Sequence, residues 1–167
     1  KRLRESGDAR LTNYAEFLEK FPPSWEVKIH ENSSWSCSHG VERWRSNCGC
    51  RLGGHGHWTQ EWRTPLRESL DKLAISLDGI YEKRAAKFLK DPWGARNDYI
   101  DVILDRGEEN LKRFFEKHGL IPLSEVDKID ALRLLEMQRQ RLLMFTSCAW
   151  FFDEVSGLES TTVLTSA

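Results

Sequence analysis

The chain has 167 residues, of which 40% are hydrophobic and 31% are charged, and its formal net charge is −1. This composition excludes a disordered protein, which is poorer in hydrophobic residues, and no apolar run is long enough to span a membrane. A net charge so close to zero also argues against nucleic acid as a partner, because phosphates are bound by a basic field. The length suits one domain over residues 1–167 with a single hydrophobic core.

Residues 8–31 predict an N-terminal helix followed by an extended segment. Apolar side chains recur at helical spacing from Asp8 to Phe21, and the two prolines that follow end the helix because they lack a backbone donor. Residues 25–30 then alternate apolar and polar side chains, which indicates a short strand or an extended stretch.

Residues 32–64 form a predicted loop without helical or strand periodicity, rich in glycine, cysteine, histidine and tryptophan. A stretch of this length without secondary structure is uncommon in a compact domain unless it is functional or internally cross-linked. We therefore expect the function to lie in the loop, from Cys37 to Trp62, and the rest of the chain to be a helical scaffold.

Residues 65–157 predict a helical bundle, followed by a flexible tail over residues 158–167. A helix start at Thr64 and Pro65 combines a capping hydroxyl with a proline in the first turn. Apolar residues then recur at helical spacing as far as Phe88, which indicates a long amphipathic helix.

Further helices complete the predicted bundle. Two are expected over residues 97–106 and 108–118, and Ser124 with Asp127 indicates a capping box at the start of the last long one. This last helix is expected to continue to Gly157. The predicted fold class is therefore mainly α, a helical bundle with a long irregular loop and at most one short strand.

Paired soft ligands in the loop indicate a metal site. A Cys-x-His pair and a Cys-x-Cys pair, separated by a short stretch, can close a tetrahedral site, because zinc prefers thiolate and imidazole ligands. Zinc is therefore the expected cofactor, and its binding would supply folding energy to the loop. The expected ligands are Cys37, His39, Cys48 and Cys50, with His55 and His57 as alternates.

Two other interpretations of the cysteines stay open at this point. In the first, all four cysteines are buried reduced thiols. In the second, either Cys37 or Cys148 forms a disulfide with Cys48 or Cys50. A chain with a sizeable core does not need disulfides, which favours reduced thiols or metal ligands and a cytoplasmic location. Cys148 by itself is expected to be a core thiol on a helix rather than a nucleophile.

The tryptophans of the loop have two interpretations. Trp35, Trp44 and Trp58 either build a small core of their own or stack on sugar rings as substrate-binding residues. Arg43, next to Trp44, is the polar partner expected in such a sugar site, since a guanidinium also stacks on aromatic faces. Composition alone favours the small core.

Candidate catalytic groups are few. A glycosidase needs two facing carboxyl groups with separated pKa values. Glu42 in the loop and Asp153 near the C-terminus are weak candidates, and the thiol of Cys148 is a third. The simpler expectation is that both carboxylates are solvated or form ion pairs.

Three stretches of the sequence resemble one known family. They are residues 32–50, which contain the paired ligands, residues 62–67 (Trp-Arg-Thr-Pro-Leu-Arg), and residues 144–159, which contain Phe-Thr-Ser-Cys-Ala-Trp-Phe-Phe-Asp-Glu. In this order they resemble an uncharacterised bacterial domain family found C-terminal to polysaccharide-deacetylase-like barrels related to glycoside hydrolase family 57. The resemblance runs over nearly the whole chain, from about Tyr14 to Glu159.

This resemblance implies that the chain is the helical part of a larger carbohydrate-active protein. The N-terminal barrel of the same parent chain would hold the catalytic carboxylates, and the helical part would pack on it and lend Trp35, Trp44 and Trp58 to a sugar cleft. The implied partners are that barrel and an α-glucan or other oligosaccharide. The parent would be a glycoside hydrolase or a glucanotransferase, and this fragment would not be active alone.

The leading interpretation is therefore an accessory helical domain of a family 57-like protein, with a Cys/His metal site in its loop. One alternative is a non-catalytic module whose loop binds a glycan or a protein. Another is a thiol or redox function through Cys148 and the pair Cys48 and Cys50, which requires an exposed thiol of low pKa.

Overall fold

The structure, a computed structural model, describes residues 9–52 and 54–167. The chain divides into two compact units, and the boundary in sequence lies between Asn32 and Ser33. The second unit, which ends at Ala167, contains the loop and the helical bundle. The prediction of a single domain over residues 1–167 stays a prediction.

The first unit contains helix α1, Tyr14–Lys20. The start of α1 is set by Asn13, whose side-chain oxygen accepts a hydrogen bond from Glu16 N at 2.9 Å and so satisfies a free donor of the first turn. The predicted start at Asp8 lies outside the described residues. Residues 25–30 belong to no strand, which leaves the extended alternative.

The second unit is mainly helical, as predicted. Its helices are α2 Arg63–Ala85, α3 Pro92–Leu104, α4 Glu108–His118, α5 Glu125–Leu143 and α6 Leu158–Ser166, with short 3₁₀ helices at Glu42–Trp44 and Ser147–Trp150. Within residues 9–52 and 54–167, β-structure is limited to one antiparallel bridge between Leu89 and Gly119. No helix in these ranges combines the length and the apolar character that a membrane crossing requires.

Side-chain caps set the starts of α3 and α5. Ser124 Oγ accepts from Asp127 N at 3.2 Å and Asp127 Oδ2 accepts from Ser124 N at 3.2 Å, which confirms the predicted capping box of α5. α3 begins at Pro92, earlier than the predicted residue 97, because the Asp91 side chain accepts from Gly94 N at 3.0 Å and caps it.

Two predicted helix boundaries are wrong. α2 already begins at Arg63, and Thr64 Oγ1 does not cap it but donates to Arg45 O at 3.2 Å. α5 ends at Leu143 instead of continuing to Gly157, because the chain turns there and Thr146 Oγ1 donates to Leu143 O at 2.6 Å. The free carbonyls at the end of α5 thus find a side-chain partner.

The C-terminal segment is a helix, which corrects the prediction of a frayed tail over residues 158–167. α6 buries Val163 in the core, and Ser160 Oγ donates to Ala149 O at 2.8 Å. Several of its threonine hydroxyls donate to carbonyls one turn earlier. Tertiary burial therefore overrides the weak helix preference of a Ser/Thr-rich sequence.

Two clusters of buried side chains form the core of the second unit. The first cluster joins α2, α3, α4 and α5 and includes Tyr81, Tyr99 and Leu135. The second cluster, here called the second core, receives Trp44 and Trp62 from the loop. The second core is therefore the surface on which the loop is held. Its buried members are Leu70, Ala74, Met144, Ala149, Trp150 and Val163.

Candidate metal centre

Hydrogen bonds from two tryptophans hold the loop on the second core. Trp44 Nε1 donates to Ser147 O at 3.0 Å, and Trp62 Nε1, at the end of the loop, donates to Asp153 O at 3.3 Å. Both acceptors belong to the segment that follows α5. The first and third motifs of the sequence, which are about a hundred residues apart, thus meet in space.

Four side chains of the loop form a compact cluster of metal ligands. The ligand atoms of Cys37, His39, Cys48 and Cys50 all lie within 4.8 Å of one another. Cys37 Sγ is 3.8 Å from Cys48 Sγ, and Cys50 Sγ is 3.5 Å from His39 Nδ1. A tetrahedral zinc ion with ordinary bond lengths separates two sulfurs by about 3.8 Å and a sulfur from a nitrogen by about 3.6 Å. The cluster has the dimensions of a metal site and is consistent with zinc.

Glycines with left-handed backbone conformations lie within or directly beside the two ligand pairs. Gly49, between Cys48 and Cys50, has a φ of 80°, a backbone conformation that residues with a Cβ rarely adopt. Gly40, which follows His39, has a φ of 75°. Gly49 therefore allows a tight turn between Cys48 and Cys50, and Gly40 allows one directly after His39.

The thiols of the cluster differ in environment. Cys37 is buried, Cys48 and Cys50 are half-buried, and His39 is exposed. Burial raises the pKa of Cys48, whereas the neighbouring His39 ring lowers the pKa of Cys50 to about 6. The lowered pKa favours the thiolate form of Cys50, which is the form that binds a metal.

Arg63, the first residue of α2, contacts the cluster from the helix side. Its side chain is 0% exposed, with Nη1 3.8 Å from Cys48 Sγ and Nη2 donating to Cys50 O at 3.1 Å. Burial lowers the pKa of Arg63, and the charge of Cys48 opposes that shift. A buried cation thus lies against the thiol of Cys48 and the backbone carbonyl of Cys50.

The remaining histidines and the fourth cysteine lie outside the cluster. His55 and His57 pack with Trp58, and the His55 ring centroid lies 4.2 Å from that of Trp58. Cys148 is exposed in the 3₁₀ helix Ser147–Trp150, so its prediction as a core thiol is wrong. The chain leaves α-helical geometry after α5, and the two residues that follow Cys148, Ala149 and Trp150, are buried instead. All four cysteines are free, which removes the disulfide interpretation.

The predicted sugar-binding residues occupy different environments. Trp35 is 91% exposed, with its ring centroid 5.9 Å from that of Phe151. Trp44 packs on the second core, whose buried members come from the helical bundle and not from the loop, and its ring centroid lies 6.2 Å from that of Phe151. Arg43 is buried, with its guanidinium 4.9 Å from the Phe151 ring centroid and Nη1 donating to Phe151 O at 3.4 Å. Trp58 is half-buried.

Both candidate carboxylates are engaged in local contacts. Glu42 accepts from Arg45 Nε at 2.8 Å and from Ser46 Oγ at 2.8 Å, and the hydrogen bond from Arg45 lowers the pKa of Glu42. A general acid needs the opposite shift. Asp153 is buried, and its Oδ1 accepts from Leu52 N at 3.3 Å, which fastens the loop to the segment after α5.

Sequence reasoning missed two residues of the site: Arg63, which contacts Cys48 and Cys50, and Phe151, which contacts Trp35, Arg43 and Trp44. A signal for Arg63 was present, because it lies on the same face of α2 as the buried Leu70 and Ala74, where a solvated charge is not expected. Phe151 carried no such signal, since its role depends on contacts with the distant loop.

Comparison with known proteins identifies the domain. The family model described as "Domain of unknown function (DUF3536)" matches residues 58–167, a stretch that begins after the ligand cluster and includes α2 to α6. No curated protein and no solved structure matches the chain. The matched residues are well over half of the sequence, and the chain therefore belongs to the DUF3536 family, a family of unknown function.

Proposed function

We propose that this chain is a helical accessory domain in which a structural zinc ion closes the loop from Cys37 to Cys50. The observation that carries the proposal is the match between the Sγ–Sγ and Sγ–Nδ1 distances of the cluster and the edges of a zinc tetrahedron. Four protein ligands leave no open position for substrate, which is typical of a structural rather than a catalytic zinc site. The metal would hold together a loop that has few buried aliphatic side chains of its own.

Metal content tests the proposal directly. Protein purified without added metal is expected to contain about one zinc per chain, because a structural site of this kind binds one ion through four ligands. Elemental analysis of the pure protein measures this content. A fully folded, monodisperse sample without bound metal would overturn the proposed zinc site.

We also propose that this domain belongs to a larger family 57-like carbohydrate-active protein and contributes aromatic side chains to a sugar cleft. The resemblance of the three motifs supports the parent protein, with its N-terminal barrel as the partner. The exposure of Trp35 beside Phe151 supports the sugar contact, because a free indole face can stack on a pyranose ring. The half-buried Trp58 is the second indole of this proposal.

A fluorescence titration tests the sugar contact. We expect α-glucan oligosaccharides to change the tryptophan fluorescence, and Trp35→Ala to weaken their binding by about tenfold, the upper range for one aromatic contact. Trp25→Ala is the matched control, since Trp25 is 89% exposed and lies in the first unit. An unchanged signal across a broad panel of oligosaccharides would contradict any sugar contact in this chain.

A further inference from the structure

A buried arginine without a carboxylate partner needs an explanation. Among the described residues no carboxylate forms an ion pair with Arg63, and its Nε has no hydrogen-bond partner there. The polar groups that its side chain contacts are Cys48 Sγ and Cys50 O, and its guanidinium lies 5.8 Å from the centroid of the Trp62 ring. A buried cation is costly unless a charge of opposite sign compensates it, and a thiol that keeps its proton does not provide that charge.

Metal binding supplies the missing charge. Three cysteine thiolates and one neutral histidine around Zn²⁺ carry one net negative charge, since the thiolates outnumber the charges of the ion by one. The positive charge of Arg63 balances it. Two other buried charges also act on Arg63, those of Arg43 and Asp153, and their effects on its pKa have opposite signs.

We propose that Arg63 is a positioning residue of the metal centre, whose guanidinium compensates the negative charge of the three-thiolate zinc site and orients the turn from Cys48 to Cys50. One Nη atom faces the sulfur and the other holds the Cys50 carbonyl, so the planar guanidinium joins the charge to the backbone of the turn. This inference rests on the proposed zinc site and deepens it.

Two substitutions separate charge from hydrogen bonding. Arg63→Gln keeps a donor for the Cys50 carbonyl but removes the charge, whereas Arg63→Lys keeps the charge on a flexible stem. We expect Arg63→Gln to lower the zinc affinity by about 10–100-fold, the usual effect of losing a partner of a metal ligand. We expect Arg63→Lys to lower the zinc affinity as well, but by a factor several times smaller. Competition with a chromophoric zinc chelator measures each affinity.

Arg67→Gln is the matched control. Arg67 lies one turn further along α2 and also donates to a loop carbonyl, Trp44 O at 3.4 Å, but its side chain pairs with Asp71 rather than with a metal ligand. Its substitution is expected to leave the zinc affinity within about twofold of the unchanged protein, since partners of metal ligands are the ones that tune affinity. Equal losses for the Gln variants at residues 63 and 67 would contradict a specific role for Arg63.

A change of ligand gives a readout that a purely structural role would not move. Cys50→His converts the site to two thiolates and two imidazoles, which is neutral with Zn²⁺. When it is combined with Cys50→His, we expect Arg63→Gln to lower the zinc affinity much less than it does when Cys50 is present. An equal loss of zinc affinity with Cys50 and with Cys50→His would contradict charge compensation and favour simple packing. The same conclusion would follow if circular dichroism showed that Arg63→Gln fails to fold even together with Cys50→His.

Zinc binding by the unchanged protein and by Arg63→Gln distinguishes the proposed metal site from the proposed role of Arg63. Unchanged protein that binds no zinc contradicts the proposed metal site itself. Unchanged protein that binds zinc, together with an Arg63→Gln variant of equal affinity, leaves the metal site intact and overturns only the role of Arg63.

Discussion

Cys37→Ser is expected to abolish stoichiometric zinc binding and to release the loop from Cys37 to Cys50. Cys37 is the buried ligand of the cluster and lies 3.8 Å from Cys48 Sγ, so serine would leave a three-ligand site with a hard, poorly matched hydroxyl. Loss of a direct ligand should reduce zinc affinity by more than about 100-fold, since mutation of a residue that only contacts a ligand already reduces it by up to about that factor.

The same change should lower the stability of the second unit. A metal that joins residues 37 and 48 closes a loop, and closing a loop of this size contributes about 3 kcal/mol by the chain-entropy model used for disulfides. For a unit of this size that corresponds to a fall in Tm of about 10 °C. Differential scanning calorimetry of the purified variant, with and without a chelator, measures the effect.

Cys148→Ser is the matched control for Cys37→Ser. Cys148 is exposed and lies outside the ligand cluster, so its replacement is expected to leave both zinc content and Tm unchanged. Addition of a chelator should lower the Tm of this variant as much as that of the unchanged protein. A Tm that does not respond to the chelator in either protein would contradict a structural metal.

Trp150→Ala is expected to cost about 3–5 kcal/mol of unfolding free energy, the usual range for deleting a large buried aromatic side chain. Trp150 is 1% exposed and belongs to the second core, against which Trp44 and Trp62 of the loop pack. The cavity left by the indole therefore weakens the surface that holds the loop as well as the bundle. Urea unfolding followed by circular dichroism measures the loss.

Phe152→Ala controls for the loss of an aromatic side chain in the same segment. Phe152 is 41% exposed, so its truncation should cost much less, about 1 kcal/mol or below. The two variants should also differ in the loop, and we expect proteolysis between residues 37 and 62 to become faster only for Trp150→Ala. Equal destabilisation by both variants would show that Trp150 is not a central member of the second core.

The sequence by itself determined the features that depend on local chemistry. The capping box of Ser124 and Asp127 and the bounds of α4 follow from side-chain to backbone hydrogen bonds and from helical periodicity, which act within a few residues. The four candidate ligands could also be named in advance, because thiolate and imidazole pairs at short spacing are the groups that zinc prefers, and the structure brings their ligand atoms together.

Only the tertiary structure decided which other side chains lie beside the cluster of Cys and His residues. Cys148 was expected in the core and is exposed, while its neighbour Trp150 is buried, because the chain leaves the helix after Leu143. Arg63 meets Cys48 and Cys50 through the packing of α2 against the loop, which no short-range pattern records. The proposed compensation of charge around a metal depends on this long-range packing, since burial is what makes an uncompensated charge costly.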